Sequence, residues 1–235
     1  AAGVPVAKHG NRAISSKCGS ADVLSALGVN IEVEPETVEE CIRTAGIGFL
    51  FAPRLHPAMK YAMGPRREIG VRTIFNMLGP LTNPAGAKGQ IIGVFSPDLT
   101  EPFGQVLRLL GSKRALVVHG HDGMDEITTT TASRVTELKD GRVRTYELDP
   151  LQFTGEYAEA KDLAGGDSET NAKITKDVLS GKKGACRDIV CLNAAGAIVV
   201  GGKAEDLKCG WKMAQESIDS GAAMKALAEM IRLTN

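Results

Sequence analysis

Residues 90–119 decide the fold. They contain a strand-forming run, Gln90-Ile-Ile-Gly-Val-Phe95, a helix-forming run, Thr100-Glu-Pro-Phe-Gly-Gln-Val-Leu-Arg-Leu-Leu110, and a second strand-forming run, Arg114-Ala-Leu-Val-Val-His119. A strand, a helix and a strand in this order are typical of α/β proteins, in which the helix covers a parallel pair of strands. The sequence therefore predicts an α/β protein with a mostly parallel central sheet flanked by helices.

The same alternation continues on both sides of this segment. Further strands are predicted at Val4–Ala7, Phe49–Phe51, Val135–Lys139, Val143–Glu147 and Ala197–Val200. Further helices are predicted at Ser20–Leu27, Pro35–Ala45, Ser168–Ser180, Asp188–Ala195 and Ala204–Leu233, the last with a break at Ser220-Gly221. Asp140-Gly141 lies between two β-prone runs and predicts a hairpin turn. Because no Pro/Ser-rich linker interrupts the chain, we expect residues 1–235 to form one domain.

Composition and charge narrow the possible partners. The chain has 235 residues with 28 basic and 28 acidic side chains, so charge gives no reason to expect a nucleic acid or an anionic membrane as partner. No apolar run approaches the roughly 20 residues of a membrane helix, and no signal peptide is recognisable, so we expect a cytoplasmic protein. Its 5 cysteines form no C-x-x-C pair, which favours reduced thiols.

Residues 8–22 are rich in groups that bind anions. Three cations, one imidazole, three hydroxyls and two glycines occur in Lys8-His-Gly-Asn-Arg-Ala-Ile-Ser-Ser-Lys-Cys-Gly-Ser-Ala-Asp22. This loop leads from a predicted strand to a predicted helix, with Ser20 as the expected N-cap. Free N–H groups and the positive end of a helix dipole favour phosphate at such a place. The hypothesis is that Lys8 supplies a point charge and Ser20 a hydroxyl; the alternative is a solvated surface loop.

Residues 72–84 are interrupted by Asn76, Gly79-Pro80 and Asn83-Pro84. Gly-Pro and Asn-Pro favour turns, so we expect a rigid series of turns rather than a helix, suited to form the wall of a flat apolar slot. Just before it, Arg66 and Arg67 could hold a carboxylate through two parallel hydrogen bonds. An ordinary connector with solvated arginines remains the alternative.

Residues 119–126, His-Gly-His-Asp-Gly-Met-Asp-Glu, follow the strand Arg114–His119. Ligands of parallel α/β sheets bind beyond the carboxyl ends of the strands, where this loop falls. The adjacent carboxylates Asp125 and Glu126 are candidate Mg²⁺ ligands. His119 and His121 could indicate zinc instead, although a third ligand with suitable spacing is lacking. Gly165-Gly166 precedes a predicted helix and is either a phosphate loop or a helix-capping turn.

Together these motifs resemble the anthranilate phosphoribosyltransferase family of tryptophan biosynthesis. The residues that carry the resemblance are Lys8-His-Gly-Asn-Arg12, Gly19-Ser-Ala-Asp22, Arg66, Arg72-Thr-Ile-Phe-Asn76, Gly79-Pro-Leu-Thr-Asn-Pro84 and Gly123-Met-Asp-Glu126. Later segments follow the same pattern, among them Glu169-Thr-Asn-Ala172, Arg187-Asp-Ile-Val190 and Leu192-Asn-Ala-Ala195. The resemblance implies a nucleoside phosphorylase/phosphoribosyltransferase-type C-terminal α/β domain that transfers the phosphoribosyl group of phosphoribosyl pyrophosphate to the amine of anthranilate.

The resemblance also implies roles for particular residues. Phosphoribosyl pyrophosphate would be bound by Lys8, Gly10, Asn11 and Ser20. Anthranilate would be bound by His9, Asn11, Arg66, Gly79 and Pro80, with His9 as a candidate proton acceptor for the amine. Mg²⁺ would be held by Asp125 and Glu126.

The family pattern includes a Gly-Thr-Gly-Gly-Asp loop and a small N-terminal helical domain, neither of which occurs in residues 1–235. We therefore expect a fragment of a longer polypeptide with little activity by itself, and a homodimer when full length, with anthranilate synthase as a further partner in some organisms. Two other functions remain open: a pyrimidine nucleoside phosphorylase-like enzyme, and a non-catalytic nucleic-acid-binding relative of the same fold. A third alternative is a truncated product that folds without functioning.

Overall fold

The computed structural model describes residues 1–13, 17–59, 61, 64, 68–70 and 74–235. Strands in this part of the chain are β1 (Val6–Gly10), β2 (Ile47–Phe51), β3 (Gly89–Gly93), β4 (Arg114–Gly120), β5 (Ser133–Lys139) and β6 (Arg142–Leu148). Helices in the same part are α1 (Ser20–Ala26), α2 (Pro35–Thr44), α3 (Ala52–Leu55), α4 (Phe75–Leu81), α5 (Thr100–Leu109), α6 (Leu151–Thr154), α7 (Ser168–Leu179), α8 (Ala185–Val200), α9 (Leu207–Asp219) and α10 (Ala222–Thr234).

The strands form two sheets, and the α/β class is confirmed. β1 pairs with β2 in parallel, and β3 pairs with β4 in parallel across the helix α5, as residues 90–119 predict. β4, β5 and β6 continue the second sheet as antiparallel neighbours. Asp140 and Gly141 form the predicted hairpin turn with φ angles of 51° and 74°, the left-handed region that a tight hairpin requires.

The chain divides into two compact units, which are described separately. The first contains residues 1–4, 87–165 and 174–225, and the second contains residues 5–86, 166–173 and 226–235. This division leaves the expectation of a single domain as a prediction. No helix of the described residues is both long enough and apolar enough to span a bilayer.

The core of the first unit lies between the four-stranded sheet and the helices α8 and α9. Leu116 and Val118 of β4 pack in one cluster with Leu192 and Ala195 of α8. The close approach of α8 to the sheet depends on a glycine, because a Cβ on Gly196 would lie 2.8 Å from Ile91 Cδ1 of β3. The sheet and α8 are therefore in direct contact, which fixes the loops at the ends of β3 and β4.

The core of the second unit supports the two-stranded sheet. Phe49 and Phe51 of β2 are buried with Ala21 of α1, Cys41 of α2 and Met230 of α10. Gly48 of β2 allows α2 to lie close, because a Cβ there would lie 2.7 Å from Ile42 Cγ1. This packing holds β1 and the start of α1 side by side.

Two predicted strands are wrong in position or type. The first begins at Val6 rather than Val4 and extends to Gly10, because parallel pairing with β2 continues through Lys8 opposite Phe49 and Gly10 opposite Phe51. The second, Ala197–Val200, is the last turn of α8. A short apolar run cannot distinguish a buried strand from a buried helix, and here burial on several sides of α8 decides for the helix.

The prediction that residues 72–84 contain no helix is also wrong. Phe75–Leu81 form α4, with Pro80 inside the helix and the N–H groups of Met77 and Leu78 bonded to the carbonyl of Ile74. The φ angle of proline suits a helix, and its missing N–H removes only one bond from a helix of two turns. Gly79-Pro80 therefore lies within this helix, and Asn83-Pro84 follows its end.

Candidate active site

The predicted phosphate-binding residues lie where β1 ends and α1 begins, in the second unit. Lys8, His9 and Gly10 belong to β1 itself rather than to a loop, and Lys8 is exposed. Asn11 follows directly, and its backbone carbonyl accepts a hydrogen bond from Ala21 N–H at 3.3 Å. The end of the strand is thereby tied to the first turn of the helix.

Gly10 and Ser20 are brought into contact although they are ten positions apart. A Cβ on Gly10 would lie 2.5 Å from Ser20 Oγ and 2.8 Å from Cε2 of the buried Phe49. Only glycine leaves room for the hydroxyl of Ser20 at this point. The structure therefore places a hydroxyl against the bare backbone of Gly10, two residues along β1 from the exposed Lys8.

Asp22 organises the loop that connects these residues. Its carboxylate accepts hydrogen bonds from the N–H groups of Ala13 and Gly19, each at 2.9 Å, and from Arg12 at 3.3 Å. The two backbone hydrogen bonds are the main reason that the pKa of Asp22 lies below its ordinary value; Arg12 adds to the effect, and burial opposes it. Asp22 is thus ionised at neutral pH and joins Ala13 to Gly19 at the start of α1.

Ser20 is not the N-cap that the sequence predicts. The helix α1 begins at Ser20, so Gly19 is the N-cap, and the carboxylate of Asp22 accepts the Gly19 N–H. A Cβ on Gly19 would lie 2.5 Å from the backbone nitrogen of Ala13, which explains why glycine occupies this position. Asp22 therefore performs the capping that the sequence assigns to Ser20.

His9 and Gly79, both predicted to bind anthranilate, lie together in the second unit. The half-buried His9 has Nε2 at 3.2 Å from Nε2 of His56 and shares a hydrogen bond with the backbone of Gly79. Burial lowers the pKa of His9 below its ordinary value; His56 and Lys8 lower it further, and the Gly79 bond opposes them. His9 is therefore neutral at pH 7 and able to accept a proton.

The segment after α4 is fastened to β1. The side-chain amide of Asn83 donates to the carbonyl of Ala7 at 3.0 Å and accepts the N–H of Ala85 at 3.0 Å. Gly79 is half-buried and Pro80 is exposed. The predicted wall thus lies beside the strand that carries Lys8 and His9. Arg66, the predicted carboxylate ligand, lies outside the described residues.

Asp125 and Glu126 are exposed in the loop that follows β4, in the first unit. The backbone of Asp125 passes directly over the last residue of β3: a Cβ on Gly93 would lie 1.6 Å from the Asp125 carbonyl oxygen. The Gly120 N–H donates to the Met124 carbonyl at 2.8 Å and closes the turn before the pair. Both carboxylates therefore stand at the carboxyl end of the parallel strands β3 and β4.

Sequence reasoning missed two residues that position this carboxylate loop. Asp122 accepts hydrogen bonds from the hydroxyls of Thr128 and Thr130, each at 2.6 Å. Burial raises the pKa of Asp122, but these bonds and the Met124 N–H outweigh it, so the pKa lies below its ordinary value. The Thr128–Thr131 run beside an aspartate was the signal available in the sequence.

The second missed residue is Asn193 of α8. Its amide accepts the N–H of Ile127 at 2.9 Å and donates to the Ile127 carbonyl at 2.8 Å. The residue directly after Glu126 is therefore held on both sides by one side chain. A polar amide within the otherwise apolar Cys191–Ala195 stretch of α8 was the available signal, since a buried amide requires partners.

The carboxylate pair fits a magnesium ion. Mg²⁺ is bound in proteins by one or two carboxylates, with water and substrate phosphates completing six oxygen ligands. Asp125 and Glu126 are hard oxygen donors, exposed, and held on a backbone that Gly93, Asp122 and Asn193 fix in place. Among the described residues, no three His, Cys, Asp or Glu side chains are placed to hold one metal, so further ligands would come from substrate and water.

The other candidate motifs have structural partners. His119 is buried with Nδ1 at 2.7 Å from the Val94 carbonyl, whereas His121 lies 2.6 Å from Glu147, so the two imidazoles are engaged separately. Gly166 donates its N–H to Asn171, and Asp167 accepts the Thr170 N–H at the start of α7. This segment is the helix-capping alternative of the two that the sequence left open.

Comparison with known proteins defines the class first. A family model described as "Glycosyl transferase family, a/b domain" matches residues 1–224. The fold and this match together make the chain an α/β glycosyl transferase.

Named relatives define the family more closely. Anthranilate phosphoribosyltransferase from Desulfosudis oleivorans is 58% identical over 234 residues, covering 99% of this chain and 69% of the relative. The protein of the same name from Geobacter sp. is 60% identical over 235 residues, covering 100% and 67%. The chain belongs to the glycosyl transferase family and, within it, to the anthranilate phosphoribosyltransferases.

Solved structures agree with this assignment. The crystal structure of anthranilate phosphoribosyltransferase from Thermus thermophilus matches with a TM-score of 0.92 and 46% identity, over 99% of this chain and 69% of that one. The Saccharomyces cerevisiae enzyme in complex with PRPP and Mg matches with a TM-score of 0.88 and 30% identity, over 99% and 66%. The chain thus spans about two thirds of the length of these relatives.

Proposed function

We propose that this chain transfers the phosphoribosyl group of phosphoribosyl pyrophosphate to the amine of anthranilate, giving N-(5-phosphoribosyl)anthranilate and pyrophosphate, the second step from chorismate to tryptophan. The observation that carries the proposal is the contact between Gly10 and Ser20, which brings a hydroxyl to the end of the strand that carries the exposed Lys8. The yeast relative described in complex with PRPP and Mg supports the same substrate.

Phosphate oxygens would be bound by Lys8, Gly10, Asn11 and Ser20. The ammonium of Lys8 supplies charge, the hydroxyl of Ser20 donates a hydrogen bond, and the bare backbone of Gly10 lets an oxygen approach closely. Asp22 keeps these groups in place by holding the N–H groups of Ala13 and Gly19. The start of α1 is therefore held in place by hydrogen bonds within the chain.

Anthranilate would lie between β1 and the end of α4. Its ring would face Gly79 and Pro80, its carboxylate would bind Arg66, and its amine would face His9 and Asn11. The Asn83 bond to Ala7 keeps the distance between the wall and the strand constant. A slot of fixed width favours a flat aromatic acid.

The reaction forms one bond and breaks one. The amine nitrogen forms a bond to the anomeric carbon of ribose, while the bond from that carbon to the pyrophosphate oxygen breaks, and the electron pair leaves with pyrophosphate. The surplus proton of the amine passes to the imidazole of His9, which the lowered pKa keeps neutral. The protein mainly orients the two reactants, which accounts for a large part of such rate accelerations.

Asp125 and Glu126 would hold Mg²⁺. When bound, the ion supplies charge neutralisation for the leaving group. Asp122 and Asn193 act through these two carboxylates by fixing the loop that carries them.

The test is Mg²⁺-dependent loss of anthranilate fluorescence in the presence of phosphoribosyl pyrophosphate, measured on the gene product that contains residues 1–235. Turnover that requires all three components supports the proposal. Phosphate-dependent cleavage of uridine or thymidine instead would indicate a nucleoside phosphorylase. A salt-sensitive gel shift without any turnover would indicate a nucleic-acid-binding relative.

Asp125→Asn is expected to weaken the apparent affinity for Mg²⁺ about ten-fold or more, because a neutral amide replaces an anionic ligand. Turnover as a function of Mg²⁺ concentration measures the effect. Asp98→Asn, which removes an exposed carboxylate elsewhere in the same unit, is the matched control. An unaltered Mg²⁺ titration in Asp125→Asn would remove this carboxylate from the metal site.

Arg66→Ala is expected to raise the KM for anthranilate and to cost about 1.5 to 3 kcal/mol in kcat/KM, the range for hydrogen bonds to charged groups. The KM for phosphoribosyl pyrophosphate should stay the same. Arg67→Ala is the matched control, because it makes the same substitution one residue later in the chain. If Arg67→Ala raises the anthranilate KM and Arg66→Ala does not, the assignment of the carboxylate ligand is wrong.

Further expectations of the family resemblance stay predictions. These are assembly as a homodimer, association with anthranilate synthase, a cytoplasmic location, and low turnover by residues 1–235 alone.

A further inference from the structure

A cavity of about 280 Å³ lies in the first unit, lined by side chains that the proposed reaction does not use. The lining residues that matter are Thr129, Glu156, Tyr157, Glu159, Asp162 and Asp188. A water molecule occupies roughly 30 Å³ in the liquid, so the cavity has room for a small organic molecule. The cavity is therefore a candidate binding site.

Thr129 brings an unsatisfied hydroxyl to this cavity. Its side chain is 1% exposed, and its Oγ1 has no hydrogen-bond partner in the described structure. The backbone carbonyl of Thr129 accepts the Ala158 N–H at 2.9 Å, so the residue is held firmly against the loop that forms the opposite wall. A buried hydroxyl without a partner costs about 1 to 3 kcal/mol, which a hydrogen-bonding ligand would recover.

The charge on the lining is negative. Of its four carboxylates, Glu159 is paired with Lys161 at 2.7 Å. The cations nearest to Asp188 in sequence are engaged elsewhere: Lys183 and Arg187 form ion pairs with Asp219 at 3.6 and 2.7 Å.

Asp188 itself is half-buried in the first turn of α8. Burial raises its pKa, as does the neighbouring Glu156, and Arg187 and Lys183 oppose the rise. A cation bound between Asp188 and Glu156 would relieve both the burial and the repulsion.

The polar groups that line the cavity favour an organic cation over a metal ion. Within the described residues, no group of three His, Cys, Asp or Glu side chains could ligate one metal. An ammonium group donates three separate hydrogen bonds, which suit two carboxylates and one hydroxyl. The half-exposed ring of Tyr157 adds an aromatic wall, which attracts organic cations.

We propose that this cavity binds a primary organic ammonium ion, held by Asp188, Glu156 and the hydroxyl of Thr129 against the ring of Tyr157. The positive end of the α8 dipole also reaches the cavity, and the carboxyl group of Asp188 lies in the same helical turn.

The first experiment is calorimetric titration of the complete protein with 1,4-diaminobutane, in the absence of both substrates of the proposed reaction. Saturable binding below about 10 mM is expected, with a matching rise in Tm. The matched control ligand is 1,4-bis(trimethylammonio)butane, which carries the same two charges on the same carbon chain without N–H donors. Equal binding of this control, or no saturable binding of 1,4-diaminobutane, would overturn the proposal.

Two variants test the residues. Asp188→Asn is expected to weaken binding at least about ten-fold, and Thr129→Val to weaken it about three-fold, since each removes one acceptor. Thr129→Val should not lower Tm, because it removes an unsatisfied hydroxyl at constant shape. Asp177→Asn removes a carboxylate from α7 outside the cavity and should leave binding unchanged. Unaltered binding of 1,4-diaminobutane in Asp188→Asn would refute the cavity as a binding site, even if the protein turns over anthranilate. Conversely, a protein that does not turn over anthranilate could still bind 1,4-diaminobutane in this cavity, so the two proposals are tested separately.

Discussion

Gly93→Ala is expected to lower kcat/KM about 100-fold and to raise the Mg²⁺ concentration that half-maximal turnover requires. The new methyl group would lie 1.6 Å from the carbonyl oxygen of Asp125, whereas real Cβ atoms essentially never come within 3.0 Å of another heavy atom. The backbone of the carboxylate loop must therefore move by more than an ångström. Asp122 and Asn193 hold that loop on its other sides, so the movement cannot be absorbed by a flexible side chain.

The comparison for Gly93→Ala is Val94→Ala. Val94 is 3% exposed and adjoins the same strand end, so its truncation destabilises the sheet by leaving a cavity without pushing on Asp125. Tm and Mg²⁺-dependent turnover should be measured for both variants. We expect both to lose stability and only Gly93→Ala to change the Mg²⁺ requirement. If both variants show the wild-type Mg²⁺ requirement, the position of the Asp125 backbone is irrelevant to the metal.

Gly10→Ala is expected to raise the KM for phosphoribosyl pyrophosphate about ten-fold or more and to destabilise the protein by about 1 to 3 kcal/mol through overpacking. Its methyl group would lie 2.5 Å from Ser20 Oγ and 2.8 Å from the ring of Phe49. Phe49 is buried in the core of the second unit, so the hydroxyl of Ser20 is the group that must give way. Steady-state kinetics with each substrate varied in turn, together with Tm, measures both effects.

Gly48→Ala is the matched control for Gly10→Ala. Gly48 belongs to the partner strand β2, and a methyl group there would lie 2.7 Å from Ile42 Cγ1 and 2.8 Å from the Val38 carbonyl, away from Ser20. It should lower stability to a similar extent and leave the KM for phosphoribosyl pyrophosphate unchanged. A KM increase of the same size in Gly48→Ala would show that general loosening of the sheet, rather than the hydroxyl of Ser20, causes the effect.

The local sequence pattern was sufficient to predict the long helices and the hairpin. The helices α5 and α2 appear within a residue of their predicted ends, and the break between α9 and α10 falls at Ser220-Gly221 as predicted. The antiparallel hairpin follows from Asp140-Gly141 alone, because that pair accepts the left-handed conformation of a tight turn. In these cases local propensity and tertiary packing favour the same conformation.

Secondary structure was predicted wrongly where tertiary contacts favoured a conformation other than the one that the local sequence pattern indicates. Residues 197–200 are apolar and three of the four are β-branched, yet they complete α8 because the helix is buried against β3 and α9. Lys8 and His9 were expected in a loop, but backbone pairing with β2 places them in a strand. These two outcomes depended on neighbours distant in sequence. Pro80 signalled a turn, but a short helix tolerates one missing N–H.

By itself the sequence determined the α/β class, the family, and the residue types of the candidate site, since these depend on periodicity and on motifs a few residues long. Only the tertiary structure decided that Gly10 makes room for Ser20, that Gly93 makes room for Asp125, and that Asn193 clamps Ile127. The physical reason is that close packing acts between backbones brought together from distant parts of the chain. A glycine or an asparagine shows its purpose only when its neighbour in space is known.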